Sequence, residues 1–281
     1  RQMCIRDRLF ANLTHYLAIL IILAIPVTGL IWLIDALFYK KKRRADKKEP
    51  WFVDWAKFLF PVVLFVGVLR SFIIEPYVIP SGSMQPTLYA GDMIVADKWS
   101  YGIRVPILNT RLFSKEGEGI ERGDVAIFKF PKDEKVNYIK RVVAVPGDVI
   151  DYQNKQFTIN GEPLDYTVVG PAKAPEEEDL FVIESFPVGT PGANEYKEHM
   201  IQTSKMITPA DRGVGLYHRF PLTIPEGKFL MMGDNRDNSY DGRFWELVDD
   251  QKILGKARFI WMNYNCVTSF EDCDHIFTTI K

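Results

Sequence analysis

The chain has 281 residues, 35 basic and 36 acidic side chains, 47% apolar residues and 13% aromatics, which is ample core for one large or two ordinary domains. The aromatic content excludes a disordered chain, three Cys exclude a disulfide-dense scaffold, and only 19 Gly and 17 Pro exclude collagen-like classes. The net charge of −1 hides about +7 in residues 1–70 and about −8 beyond them, a balance that argues against a nucleic-acid binder.

After a short tail (1–15), Tyr16 to Ile34 holds 19 consecutive uncharged residues. As a helix they span roughly 28 Å, close to the ~30 Å hydrocarbon core of a bilayer. Pro26 and Gly29 are tolerated in lipid-embedded helices. No small-residue cleavage site follows, so a retained transmembrane helix over 16–38 is expected instead of a cleaved leader. Lys40, Lys41, Lys42, Arg43, Arg44, Lys47 and Lys48 then form a basic loop (39–54) that reads as cytoplasmic, against Arg1, Arg6 and Arg8 on the other side. The second apolar segment is weaker, because only Phe58 to Leu69 is free of charge. Snorkelling of Lys57 and Arg70, with Trp51 and Trp55 in an interface belt, extends it to a second span over 55–74. Two spans place the N-terminus and the large domain (75–281) on the same, extracytoplasmic side.

Beyond Ile74 the pattern changes to short alternating segments. Asp92–Lys98, Val125–Phe130, Val136–Val145, Lys155–Ile159 and Lys228–Met232 read as strands, with Asn160-Gly161 the clearest hairpin turn. The stretch from about 165 to 225 is rich in Pro and Gly, holds the acidic run Glu176–Asp179, and reads as a peripheral insertion outside the core. The fold class is mainly β.

Familiar catalytic signatures are absent: no G-x-S-x-G, S-x-x-K, H-E-x-x-H, Walker-type loop or C-x-x-C. His15, His199, His218 and His275 sit in no suggestive Ser or acidic pattern. Three segments carry the chemistry. The first, Ile79-Pro80-Ser81-Gly82-Ser83-Met84-Gln85-Pro86-Thr87-Leu88, has two serines close behind the membrane segment, although Pro-Ser-Gly-Ser is also ordinary loop composition. In the second, Tyr138-Ile139-Lys140-Arg141-Val142-Val143, a strand puts Lys140 on one face with Val136, Tyr138 and Val142. An edge-strand lysine is usually a gatekeeper. On a buried face, desolvation lowers its pKa, and a neutral amine takes a proton from serine without a histidine. The third, Gly233 to Arg243, is dense in Asp, Asn, Arg and Ser. It lacks the terminal Glu of an EF-hand loop. Its alternating charges favour an internal network of charge-assisted hydrogen bonds, with Ser239 placed to orient Lys140.

Together these segments closely resemble bacterial type I signal peptidases. The resemblance covers Glu75–Leu88, Gly91–Gly102, Arg122–Asp148, Gly233–Arg243 and Gly255–Met262 in family order, and extends to the two-helix N-terminal layout. It implies an extracytoplasmic β-fold of the signal peptidase type with an inserted peripheral β subdomain at about 150–226. It further implies Ser83 as nucleophile, Lys140 as general base, and an oxyanion hole from the Ser81 hydroxyl and the Ser83 N–H. Ser239 matches the residue hydrogen-bonded to the lysine, Asp241 and Arg243 the supporting ion pair, and Asp234 a further support. Tyr77, Ile79, Pro80, Met84, Leu88, Ile127, Tyr138 and Ile139 match shallow apolar pockets for small residues at −1 and −3 of a signal peptide, core packing being the plainer reading of some of them. No cofactor or metal is implied.

The expected partners are preproteins leaving the secretion translocon and the lipid bilayer, with no nucleic acid, for a monomer in the bacterial inner membrane with its catalytic domain in the periplasm. Cys266 and Cys273 would face an oxidising compartment and are expected to form a disulfide, while the tail Glu271–Lys281 fits the family poorly. A membrane-anchored β domain that only binds proteins explains the topology but not the joint occurrence of Ser83, Lys140 and the Asp234–Arg243 segment. A self-cleaving Ser-Lys repressor carries a DNA-binding head where this chain has apolar helices.

Overall fold

The computed structural model describes residues 5–40, 49–104, 111–113, 119–172, 179–187, 196–204, 219–270 and 273–281. Most of the basic loop, Glu176 to Glu178, His218 and residues 271–272 of the tail lie outside the described residues. The chain forms two compact units, Arg1–Ile74 and Glu75–Lys281.

In the first unit, helix α1 (Ile5–Ile34) continues into the π turn Asp35–Tyr39, and α2 (Trp51–Val68) into Leu69–Ile73. Ile19–Tyr39 and Trp51–Ile73, with mean hydropathies of 2.4 and 2.0, are both long and apolar enough to cross a bilayer. Lys57, the charge that weakened the second span, is paired: its Nζ lies 2.5 Å from Glu49 and 3.2 Å from Asp35. Gly29 lets α1 approach the Phe60 ring of α2, where a Cβ would meet Cε2 at 2.7 Å. Trp32 stacks on the same ring at 5.4 Å.

The second unit runs β1 (Ile74–Val78), β2 (Asp92–Asp97), β3 (Ile103–Arg104), β4 (Arg111–Phe113), β5 (Val125–Phe130), β6 (Asp133–Ala144), β7 (Val149–Gln153), β8 (Gln156–Ile159) and β9 (Glu162–Pro163). It continues with β10 (Asp165–Pro171), β11 (Asp179–Pro187), β12 (Tyr196–Ser204), β13 (Leu222–Thr223), β14 (Lys228–Met232), helix α3 (Gly242–Trp245), β15 (Val248–Asp249), β16 (Ile253–Asn263), helix α4 (Tyr264–Ser269) and β17 (Thr278–Thr279). The main sheet has the order β1-β2-β16-β5-β6-β14-β15, with β17 added on β16, and its pairs from β2 to β15 are antiparallel. The expected strands at Val125–Phe130 and Lys228–Met232 have those bounds. Asn160 (φ 55°) and Gly161 (φ 86°) turn β8 into β9, the left-handed pair of conformations that an Asn-Gly hairpin turn requires.

The insertion departs from its expected place outside the core. Phe186 of β11 is fully buried in one cluster with Val143, Ala144, Leu230 and Met232 of the main sheet and Tyr152 and Phe157 of the β7–β8 hairpin. Its sequence looks peripheral because β10 exposes most of its side chains, whereas β11 alternates and turns one face inward. Burial of a phenylalanine contributes about 1.5–3 kcal/mol, so these strands stabilise the main sheet as well as decorate it. The Cys266–Cys273 disulfide is present and bridges α4 to the tail that forms β17.

Candidate active site

β6 is flanked by β5 and β14, with Ala126 opposite Lys140 and Met232 opposite Arg141. That register delivers the segment after Met232 to the neighbourhood of Lys140. The turn carrying Ser83 follows β1, and main-chain hydrogen bonds between Ile79 and the start of β2 fix it: Ile79 N to Asp92 O and Gly91 N to Ile79 O, each 2.8 Å.

Ser83 and Lys140, 57 residues apart in sequence, meet there, with Lys140 Nζ 2.5 Å from Ser83 Oγ. Lys140 is only 4% exposed. Burial penalises its ammonium and lowers the pKa to about 8, against the opposing fields of Asp241 and Asp234 and with a smaller push downward from Arg243. Tyr138 shares its face as the strand alternation requires, its ring centroid 6.0 Å from Nζ. The Ser81 hydroxyl lies 3.4 Å from Ser83 Oγ on the exposed side.

Buried ion pairs surround this contact. Arg243 Nε and Nη2 each reach Asp241 at 2.8 Å, and Asp241 also accepts from the Gly233 N–H at 3.1 Å. Arg141 holds Asp234 with two bonds of 2.8 and 2.7 Å, and Thr87 Oγ1 donates to the same carboxylate at 2.5 Å. Burial alone would raise both carboxyl pKa values, but the guanidinium partners hold them below the usual range. Arg141 Nη1 also donates to the carbonyls of Gly123 (2.6 Å) and Lys281 (2.8 Å).

Two expectations are corrected. Ser239 is buried, but its Oγ has no hydrogen-bond partner among the described residues, so no bond to Lys140 is formed. It is instead wedged against Gly233, where a Cβ would lie 2.2 Å from Ser239 Oγ and 2.4 Å from Ser83 O. The charge network is also not internal to the 233–243 segment. Only Asp241–Arg243 pairs within it; Asp234 pairs with Arg141, Arg236 with Glu184 and Asp237 with Lys155. The physical reason is geometric: in a tight turn, successive side chains point outward in different directions and find partners on neighbouring elements.

Of the eight apolar positions, Ile79, Met84, Leu88 and Ile127 are buried in one cluster, with Tyr77 and Ile139 packed partly against it. Met84 and Leu88 have no exposed surface, which makes them core residues in this state. Pro80 is exposed, and Tyr138 belongs to a different group, stacked on Phe130 with ring centroids 4.4 Å apart. A cleft of about 370 Å³ lined by Thr87, His199 and residues of β17 is separate from the Ser83–Lys140 contact. His199 faces Glu184 at 3.1 Å and His275 faces Asp92 at 2.7 Å. Sequence reasoning missed Arg141, Thr87 and Asn235. The one available signal was the adjacency of a second cation to Lys140 in a strand that also carried Val142 and Val143.

With this geometry in view, the comparisons with known proteins are specific. The family model for signal peptidase, peptidase S26, matches residues 52–262. The chain is 37% identical to signal peptidase I of Pseudomonas fluorescens over 279 residues, covering 88% of this chain and 92% of that protein. It is 36% identical to signal peptidase I of Pseudomonas aeruginosa over 277 residues, with the same coverage. A crystal structure of a signal peptidase I from Enterococcus faecalis aligns at 22% identity and a TM-score of 0.30, over 48% of this chain and 93% of that one.

Proposed function

The chain belongs to the signal peptidase family, peptidase S26, as a membrane-anchored serine peptidase that removes signal peptides, and on that premise we propose that Ser83 and Lys140 are its catalytic dyad. The observation that carries the reading is the buried 2.5 Å contact between Lys140 Nζ and Ser83 Oγ. A lysine held near pKa 8 by burial is a competent base at physiological pH.

Neutral Lys140 takes the Ser83 proton as Oγ attacks the scissile carbonyl. The oxyanion is held by the Ser83 N–H and the Ser81 hydroxyl, donors whose loss typically costs about 10²–10³ in rate. Protonated Lys140 then gives its proton to the leaving amine, leaving an acyl-enzyme on Ser83. Lys140, neutral again, activates the water that hydrolyses it. Small residues at −1 and −3 are the proposed specificity, set by the shallow apolar surface of Tyr77, Pro80 and Ile139, with Ile79, Met84, Leu88 and Ile127 buried behind it and Tyr138 beside the lysine.

The same reading places the enzyme in the bacterial inner membrane, the catalytic unit on the periplasmic side, acting on preproteins from the translocon. Confinement to the bilayer raises the effective concentration of a substrate whose own apolar helix resides there. The disulfide is consistent with that oxidising compartment.

The test is cleavage, in detergent, of a preprotein with an Ala-X-Ala site by wild type, Ser83→Ala, Lys140→Ala and a His218→Ala control. Cleavage after the final Ala is expected in wild type and control and in neither dyad variant. Activity surviving either dyad substitution overturns the assignment.

A further inference from the structure

The inserted strands reach the proposed nucleophile through one side chain. Asn235 is 5% exposed and follows Asp234 in the turn after β14. Its Nδ2 donates to the carbonyl of Gly82 at 3.0 Å and its main-chain N–H to the carbonyl of Ser83 at 3.2 Å. These are the two peptide units that set the direction of the Ser83 side chain.

Asn235 is in turn fixed from the other side by the insertion. Gln202 of β12 forms a parallel bridge with Asn235, and its N–H donates to Asp234 O at 2.9 Å. Beyond that bridge the turn is clamped again. Arg236 pairs with fully buried Glu184 of β11, one of its bonds being 2.8 Å. Asp237 accepts from Ser204 N at 2.7 Å, Thr203 Oγ1 at 3.1 Å and Lys155 Nζ at 2.6 Å. Asn238 Nδ2 donates to Asn235 Oδ1 at 3.3 Å, which orients the amide so that its NH₂ faces Gly82.

We infer that Asn235 is a positioning residue for the reaction, transmitting the rigidity of the inserted β11–β12 hairpin to the Gly82–Ser83 backbone so that Ser83 Oγ is held at Lys140. The inference rests on the proposed dyad. It gives the insertion a role in catalysis that its place in the sequence does not suggest. The physical basis is that a charge-paired turn with buried partners cannot drift, whereas a Pro-Ser-Gly-Ser loop without a brace has several backbone states. A misplacement of the reacting atoms by an ångström costs about 100-fold in rate.

The full-length protein in detergent, cleaving the same Ala-X-Ala preprotein, tests it. Asn235→Asp keeps the shape but sets an ionised carboxylate, with no donor, against the Gly82 carbonyl; Asn235→Ala removes the donor without adding charge. Both are expected to lower kcat by about 10- to 100-fold with KM changed less than about threefold and with the thermal midpoint within a few degrees of wild type. A kcat within about threefold of wild type in either variant overturns the inference, because shape or main-chain bonding then suffices. A rate loss that matches a loss of folded protein in both variants also overturns it, assigning Asn235 to stability alone. Ser83→Ala is run alongside: if it still cleaves, the dyad reading itself falls, an outcome distinct from a failure of the brace.

Discussion

The lysine's titration is the sharpest consequence of the geometry. Burial lowers the Lys140 pKa from 10.5 to about 8. At pH 7 about one tenth of the buried amine is then neutral, roughly 300-fold more than for a solvated lysine, and at pH 9 about nine tenths. If the neutral amine is the base, kcat/KM rises with a slope of one well below pH 8 and by about tenfold in total between pH 7 and pH 9. The charges facing Lys140 fix how a perturbation moves that limb. Asp241 raises the lysine pKa, so Asp241→Asn moves the limb toward acid, and Arg243, whose charge lowers it, reinforces the shift. The assay is initial-rate cleavage of the Ala-X-Ala preprotein from pH 6 to 9.5 at constant ionic strength, reading the midpoint of the limb and not its height, because the substitution also loosens the site. A flat profile across that range, or an alkaline shift in Asp241→Asn, refutes the lysine-base argument.

Other consequences follow from the same site and its supports. The Lys140 charge is disfavoured in the folded state and not in the unfolded one, so the penalty is fully present below pH 8 and fades as pH rises toward 10.5. Lys140→Met is therefore expected to stabilise the protein by about 3 kcal/mol at pH 7 and by nothing at pH 10.5, read by urea denaturation in detergent; equal stabilisation at both would show that packing, not charge, is responsible. Gly233→Ala forces a methyl to within 2.4 Å of Ser83 O and 2.2 Å of Ser239 Oγ, and is expected to abolish cleavage while circular dichroism stays native. Near-normal activity in that variant would mean the turn shifts freely. Replacing both Cys266 and Cys273 by Ser opens a loop with a sequence separation of 7 and should cost about 2–3 kcal/mol, measured as a lowered denaturation midpoint of the variant relative to the oxidised wild type. No change in midpoint would show that β17 is held by its other contacts, among them the Phe277 N–H to Ile260 O bond of 2.8 Å.

The parts of the fold legible in the sequence are those whose signal is local. Apolar, strand-like content bounded by Gly-Asp turns marks Val125–Phe130 and Lys228–Met232, and strand alternation places Lys140 with Tyr138. What was not legible depends on partners far along the chain. Arg141 meets Asp234 across 93 residues, and Glu184 meets Arg236 across 52. Read alone, Glu184 and His199 are ordinary surface polar residues; they are buried because Arg236 and Phe186 complete their surroundings. Ser239 erred in the other direction. Its position along the chain suggested a bond to the lysine, but its hydroxyl faces Gly233 and has no hydrogen-bond partner among the described residues. Proximity in a motif specifies a neighbourhood, and side-chain direction decides the contact.

The arrangement of charge resolves an apparent contradiction in the site. Two buried carboxylates beside a lysine should stabilise its ammonium and spoil it as a base. Each carboxylate, however, is tied to its own guanidinium: Asp241 to Arg243 and Asp234 to Arg141, all four buried. Arg243 offsets part of the pull that Asp241 and Asp234 exert on the lysine proton, and desolvation remains the largest influence on Lys140. A buried ion pair adds little net stability compared with apolar packing of the same volume, and four such side chains are a costly way to fill a core. Their value is in rigidity without net charge. They fix the Gly233–Asn235 backbone that lies against Ser83, while burial outweighs the pull of the two carboxylates on the lysine proton. Removing one member of a pair thus has two separable effects, a shift of the lysine's titration set by the sign of the remaining charge and a loosening of the Ser83 turn that lowers the rate at every pH.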